Sequence, residues 1–224
     1  MINVEYMIVA FTDMSLNAFD IPKLRGYFAQ KYQDEPLFHN HRADGKPAFQ
    51  YPKIQYRIYR GHPALIGIGD GLNALKRVIM DRHHIRIGMR SMIVNELFID
   101  LKQANFGQTE ELRDYRFNSP WMALNQENYK DYVKTNTLAQ TQSLNSILRG
   151  NLLTLAKAFS YTIPDFNSLS VDGTYRQVSR NFHNIPMHCF YGDFMTNFEI
   201  PEFLALGKQV SRGFGVVQPN KEVK

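Results

Sequence analysis

The order in which hydrophobic periods change along the first half of the chain limits its fold more than any single motif. Val4 to Phe11 is a continuous apolar run, the mark of a buried strand. Asp20 is placed to cap a helix running to about Tyr32, with Pro22 tolerated in the first turn and Leu24 and Phe28 on one face. Lys53 to Tyr59 alternates, with Ile54, Tyr56 and Ile58 on one side, and Arg60-Gly61 turns it back into Ala64 to Ile68 as a hairpin. Asp70-Gly71 opens a second helix carrying Leu72, Leu75 and Ile79, and His84 to Met89 supplies another strand. That order, βαββαβ, is the ferredoxin-like arrangement.

The second half partly echoes the first. Tyr115 to Leu124 reads as a strand broken by Pro120. A helix follows, with Leu144, Ile147, Leu148, Leu152, Leu155 and Phe159 on one stripe. Gly150 inside it costs about 1 kcal/mol against alanine, which points to close packing there. Val171 to Arg180 and His188 to Phe198 are two further strands, and after Pro201 only a short turn precedes a glycine-rich loop and a last strand through Val217. The predicted class is α+β: two tandem ferredoxin-like domains, 1–105 and 106–224, the second with a degenerate last helix and the glycine-rich loop.

The bulk numbers fit that size. With 224 residues, 44% hydrophobic and 21% charged, the chain can bury a real core. Its one cysteine, Cys189, cannot form an internal disulfide, which points to a reducing cytoplasm. The amino terminus carries Glu5 and Asp13 and no basic leader, so it reads as a strand and not a signal peptide. No apolar run approaches the roughly 18 residues of a membrane span. The net charge of +5 permits a polyanionic partner without demanding one. Lys76, Arg77, Arg82, Arg86 and Arg90, with His83 and His84, face one acid, Asp81; the cluster reads equally as a solvated edge or a nucleic-acid face.

The strongest candidate for chemistry is FHNH, Phe38 to His41, in a polar stretch between the first helix and the second strand. In extended backbone His39 and His41 point the same way, and two imidazoles titrating near ~6.5 can divide the roles of proton acceptor and donor. Metal-independent cleavage of RNA asks for that pairing, plus a cation at the charged phosphorane. Lys31, ending the preceding helix, suits the cation, and Tyr51, just past the loop, suits a positioning role. The plain alternative is two surface-loop histidines. A metal site is not expected, because no Cys or third His stands at supporting spacing, and no cofactor is implied. His83-His84 points to opposite faces of a strand and reads as a helix end and phosphate-facing charge; His188 reads as a structural histidine beside Cys189.

Two glycine patterns compete for phosphate. GIGDG, Gly67 to Gly71, lacks a P-loop spacing and carries Asp70, so it reads as a turn and helix cap. LGKQVSRGFGVV, Leu206 to Val217, is the better candidate: Gly207, Gly213 and Gly215 let backbone amides face outward, Lys208 and Arg212 add charge, and Ser211 a donor. Arg176 and Arg180, on the strand over 171–180, join these as candidate RNA contacts.

The tail ALGKQVSRGFGVV resembles the glycine-rich loop of the CRISPR repeat-processing endoribonucleases, the sixth Cas family. LRGYFAQKYQDEPLFHNH, YPKIQYRI and ALIGIGDGLNAL resemble its b-type branch, as do YRFNSPWMALNQENY and ILRGNLLTLAKAF. The resemblance covers nearly the whole chain. It implies a metal-independent cut within each repeat of precursor CRISPR RNA, leaving a 2′,3′-cyclic phosphate and a 5′-hydroxyl. It places the acid–base work on His39 and His41, the cation on Lys31, and the RNA backbone on Gly207 to Gly215. Ala205 stands where the family loop opens with glycine. The implied partner is CRISPR repeat RNA; other effector-complex proteins and a homodimer are left open, and the alternative function is a non-catalytic RNA-binding subunit.

Overall fold

In the computed structural model of the chain, the described residues are 1–39, 50–182 and 185–220. They fall into two compact units: one of Val4–Ala104 with Val210–Gly213, the other of Met1–Asn3, Asn105–Gln209 and the chain from Phe214.

In the amino-terminal unit, β1 (Ile2–Phe11), β2 (Ile54–Tyr59) and β3 (His62–Ile68) form one antiparallel sheet with β3 in the middle. Val9 pairs with Leu65 and Tyr56 with Leu65, so alternate residues of all three strands share a face. The helices α1 (Ile21–Lys31) and α3 (Gly71–Met80) cover that face, burying Leu24, Phe28, Leu75 and Val78 with Phe11, Tyr56 and Leu65. Burying each large apolar side chain there contributes about 1.5–3 kcal/mol. A one-turn helix, α2 (Pro36–His39), adds Phe38 to the same core. Asp20 and Asp70 stand at the N-caps of α1 and α3, but neither side chain accepts from a backbone amide of its helix; the Asp20 carboxylate instead accepts from the Lys23 side chain at 2.8 Å.

The fourth strand departs from expectation. His83–Ile87 is a strand, β4, but it pairs with β5 (Arg90–Val94) in a separate hairpin. The place beside β1 goes to the start of β6 (Leu97–Phe117), giving the strand order β2-β3-β1-β6. The Thr12 amide donates to the Glu96 carbonyl at 3.3 Å at that end. β5 and the first half of β6 escape a reading by periodicity because their exposed faces carry Ile93, Phe98, Ile99 and Leu101, which breaks the polar alternation.

In the carboxyl-terminal unit, β6 also supplies the first strand and pairs with β8 (Ile185–Glu199), which pairs with β7 (Val171–Phe182) over its whole length. β9 (Val217–Pro219) adds to the other side of β6, so the order is β9-β6-β8-β7. The strand expected over 115–124 thus ends at Phe117, and Trp121 makes only an isolated bridge to Phe190. Helix α5 (Thr137–Ala158) buries Leu144, Leu148, Leu152 and Leu155 and begins earlier than its apolar stripe, capped by Asn136, whose side chain accepts from the Ala139 amide at 3.0 Å. A short helix, α4 (Gln126–Tyr132), precedes it, capped by Asn125. Gly150 packs closely on nothing: a Cβ there would meet no atom within 4 Å. Between β8 and β9 the described chain holds one 3-10 turn, Val210–Arg212, where the last ferredoxin helix would stand in sequence, and that turn belongs to the amino-terminal unit.

Candidate functional site

Phe38 sets the position of the first histidine. Its buried ring stacks on Tyr32 with centroids 4.6 Å apart, and this ties α2 to the carboxyl end of α1. His39 therefore ends a helical turn and does not lie in the extended backbone that the spacing argument assumed. Its Nε2 lies 3.1 Å from the Tyr32 carbonyl, which can only accept, so Nε2 carries the proton. The His39 carbonyl in turn accepts from Nη2 of Arg25, a residue of α1. His41 lies outside the described residues.

Lys31, the last residue of α1, has its ammonium 2.7 Å from the Arg82 carbonyl, 3.1 Å from His83 Nδ1 and 3.4 Å from Asp81 Oδ2. His39 and Lys31 are thus both seated at the carboxyl end of one helix. The nitrogen that meets Lys31 belongs to His83, which is buried and faces no phosphate: its ring packs edge-on against Phe11 and Phe28. Burial, followed by the Lys31 charge, holds the His83 pKa below the usual imidazole value against the Val78 carbonyl and Asp81. His84 is exposed and bonds Ser91 at 2.5 Å. Tyr51 is buried beside Arg57, a wholly buried guanidinium on β2. Burial pulls the Arg57 pKa down to about 10, and its Nη2 donates to the Gln55 side chain.

The glycine-rich loop divides between the units. In the carboxyl-terminal unit, Gly207 turns at φ +93°, and a Cβ there would also strike the Trp121 indole, whose Nε1 donates to Asn151 at 3.0 Å. Gly215 turns at φ +68°, with the Leu206 carbonyl in the space a Cβ would occupy. The Gly215 amide does not face outward as expected; it donates to the Pro120 carbonyl at 2.9 Å, and the Lys208 amide donates to Met122 at 3.0 Å. The Gly213 amide also turns inward, to the Val210 carbonyl at 3.4 Å. Burial lowers the pKa of Lys208.

The middle of the loop, Val210–Gly213, belongs to the amino-terminal unit and packs on β2 and α1, with Gly213 against the Tyr56 carbonyl and Ile21. Arg25 lies one helical turn beyond Ile21. Burial, and then the neighbouring Arg25, lower the pKa of Arg212, so two guanidiniums share one locality. Arg25 Nε is buried with no partner among the described residues. The sequence reading missed Arg25; its signal was an arginine four residues after Ile21 and three before Phe28, in line with the buried stripe of α1.

Arg176 and Arg180 share one face of β7, with their guanidiniums 5.7 and 6.0 Å from the Tyr191 ring on β8. Of the basic run over 76–90, Arg77 is neutralised by a two-point bond to Asp34 at 2.9 and 3.2 Å. Cys189 is buried, and burial raises its thiol to about 11. Among the described residues no cluster of three or more His, Cys, Asp or Glu side chains could hold a metal, and no helix is long and apolar enough to cross a membrane.

Comparison with known families matches residues 2–105 to the Cas6b N-terminal domain and residues 107–220 to the Cas6b C-terminal domain. A crystal structure of Cas6b is 37% identical at a TM-score of 0.91, covering 98% of this chain and 100% of that one. A second, a CRISPR RNA processing endoribonuclease Cas6b, is 34% identical at 0.78, again covering 98% and 100%. An uncharacterised protein of Methanocaldococcus jannaschii is 33% identical over 120 residues, 54% of this chain and 81% of that protein. The architecture, two tandem ferredoxin-like folds, is that of the Cas6 structures.

Proposed function

We propose that the chain, which belongs to the Cas6b family, cuts precursor CRISPR RNA within its repeats by attack of the internal 2′-hydroxyl on the adjacent phosphate. Family membership makes it a CRISPR RNA-processing endoribonuclease; the chemistry is our reading. One imidazole of the pair His39 and His41 takes the 2′-hydroxyl proton. The oxygen attacks phosphorus, and the other imidazole protonates the departing 5′-oxygen. The P–O5′ bond breaks as the P–O2′ bond forms, leaving a 2′,3′-cyclic phosphate and a 5′-hydroxyl. Lys31, Arg25 and Arg212 offset the added charge of the phosphorane. Tyr51, beside Arg57, is a positioning residue; Lys208 and Ser211, with Arg176 and Arg180, hold the rest of the RNA, and the turns at Gly207, Gly213 and Gly215 shape the loop that presents them.

One observation supports this reading above the others. Arg25 holds the His39 backbone and sits beside Arg212 of the glycine-rich loop, so a proton-transfer group and two cations meet in one unit. Two like charges held together favour an anion between them, and a phosphodiester supplies one.

The test is the chemistry of the product ends. Repeat RNA of the source organism is incubated with the protein in excess EDTA, and the fragments are treated with acid or with phosphatase. A 2′,3′-cyclic phosphate formed at an undiminished rate is expected. A 3′-hydroxyl with a 5′-phosphate, or loss of cutting in EDTA, would overturn the mechanism.

A further inference from the structure

The His83 imidazole has both nitrogens engaged, each by a different kind of partner. Nε2 lies 2.7 Å from the Val78 carbonyl, which fixes the proton on Nε2 and leaves the lone pair on Nδ1. Nδ1 lies 3.1 Å from the Lys31 ammonium, so the lysine donates. The ring cannot swing away, because Phe11, Tyr27 and Phe28 surround it with centroids at 5.9, 6.5 and 5.3 Å. An ammonium has three protons, and Lys31 directs them at the Arg82 carbonyl, His83 Nδ1 and Asp81.

We propose that His83 is a positioning residue for Lys31: as a neutral Nε2–H tautomer it holds the ammonium in place by accepting through Nδ1. The inference rests on the reading of Lys31 as the cation at the phosphorane. Of the three Lys31 partners, Asp81 is the most distant and the more exposed of that pair, at 46% against 25% for the lysine. Asp81 is the partner that a phosphate oxygen replaces. It keeps a hydrogen bond when that happens, because the Tyr32 hydroxyl donates to its Oδ2 at 2.8 Å. The Arg82 carbonyl and His83 are neutral acceptors, so they fix the lysine without cancelling its charge. A carboxylate at position 83 would fix it and cancel it.

The chemistry of the two nitrogens gives a discriminating pair of variants. Asparagine places its amide near the former Nδ1 and can accept from Lys31; glutamine places its amide near the former Nε2 and serves Val78 instead. Single-turnover cleavage of the repeat RNA and RNA affinity are measured for His83→Asn, His83→Gln, Lys31→Ala and the Lys31→Ala/His83→Gln double variant. Lys31→Ala should slow cleavage about 10²–10³-fold, the range for losing one charge-stabilising donor. His83→Gln should slow it roughly 10–10²-fold, as a misplaced group does. His83→Asn should stay near wild type, and the double variant should be no slower, and bind RNA no more weakly, than Lys31→Ala. If Lys31→Ala is slow while His83→Gln is as fast as wild type, the positioning role is wrong and the cation assignment stands. Lys31→Ala at the wild-type rate would overturn the cation assignment itself. Independently of any variant's folding, ¹⁵N NMR of the unaltered protein at neutral pH should show His83 as the Nε2–H tautomer; an Nδ1–H tautomer or an imidazolium would refute the inference.

Discussion

At the residue scale, the site depends on one apolar anchor next to one polar side chain. Phe38 fills the core between Tyr32 and Phe28, and His39 follows it onto the helix end. Replacing His39 by alanine should lower the single-turnover rate about 10²–10⁴-fold with RNA affinity retained. Phe38→Ala should instead cost about 3–5 kcal/mol of stability in a denaturant titration, since it empties a close-packed site. His83 adds a pH dependence of its own. The groups around it are Lys31 and Tyr27 of α1, the Val78 carbonyl and Asp81. Its native pKa lies below its unfolded value, so on acidification the unfolded chain gains the proton first. The stability His83 contributes is full above about pH 6.5 and falls as pH drops below that, until the native ring protonates too. Thermal melts between pH 7.5 and 5 should show this fall, reduced in His83→Asn; an equal fall in the variant would assign it to another group.

Among the elements, the two glycines at the extremes of packing should behave oppositely. Gly215→Ala forces a Cβ into the Leu206 carbonyl at φ +68° and should lower the melting temperature and loosen the loop. Gly150→Ala adds a methyl group in open space on α5 and should stabilise by about 0.5–1 kcal/mol. Differential scanning calorimetry of the two variants checks both signs. The contrast also shows what the sequence could convey. The amphipathic stripe of α5 is visible in one dimension, because it records which face meets the core; the alternation of β2 marks a strand but not its burial, since Gln55 and Arg57 on the polar side are buried too. The partner of a strand is not so recorded. β4 reads as a strand, but that it leaves the main sheet for a hairpin with β5, and that β6 takes its place, depends on pairing between residues far apart. The same limit applies to the loop: its glycines are evident in sequence, but the use of the Gly215 amide by Pro120 and the meeting of Arg212 with Arg25 are not.

On the scale of the whole molecule, the proposed chemistry and most of the proposed RNA contacts fall in different halves of a duplicated ferredoxin-like architecture. The amino-terminal unit gathers His39, Lys31, Arg25 and Arg212, and the carboxyl-terminal unit offers Lys208, Arg176 and Arg180 on a loop and a strand face. If phosphate neutralisation dominates affinity, Arg176→Ala/Arg180→Ala should weaken binding and reduce the slope of log affinity against log salt by about one for each phosphate no longer neutralised. A fluorescence-anisotropy titration at several salt concentrations measures this, and an unchanged slope would remove that strand face from the interface. The central claim is that the RNA supplies its own nucleophile. It is tested most directly by a repeat RNA with a single 2′-deoxy sugar at the scissile position: the account predicts that this RNA binds as tightly as the ribose form and is not cut, whereas cleavage at that position would contradict it.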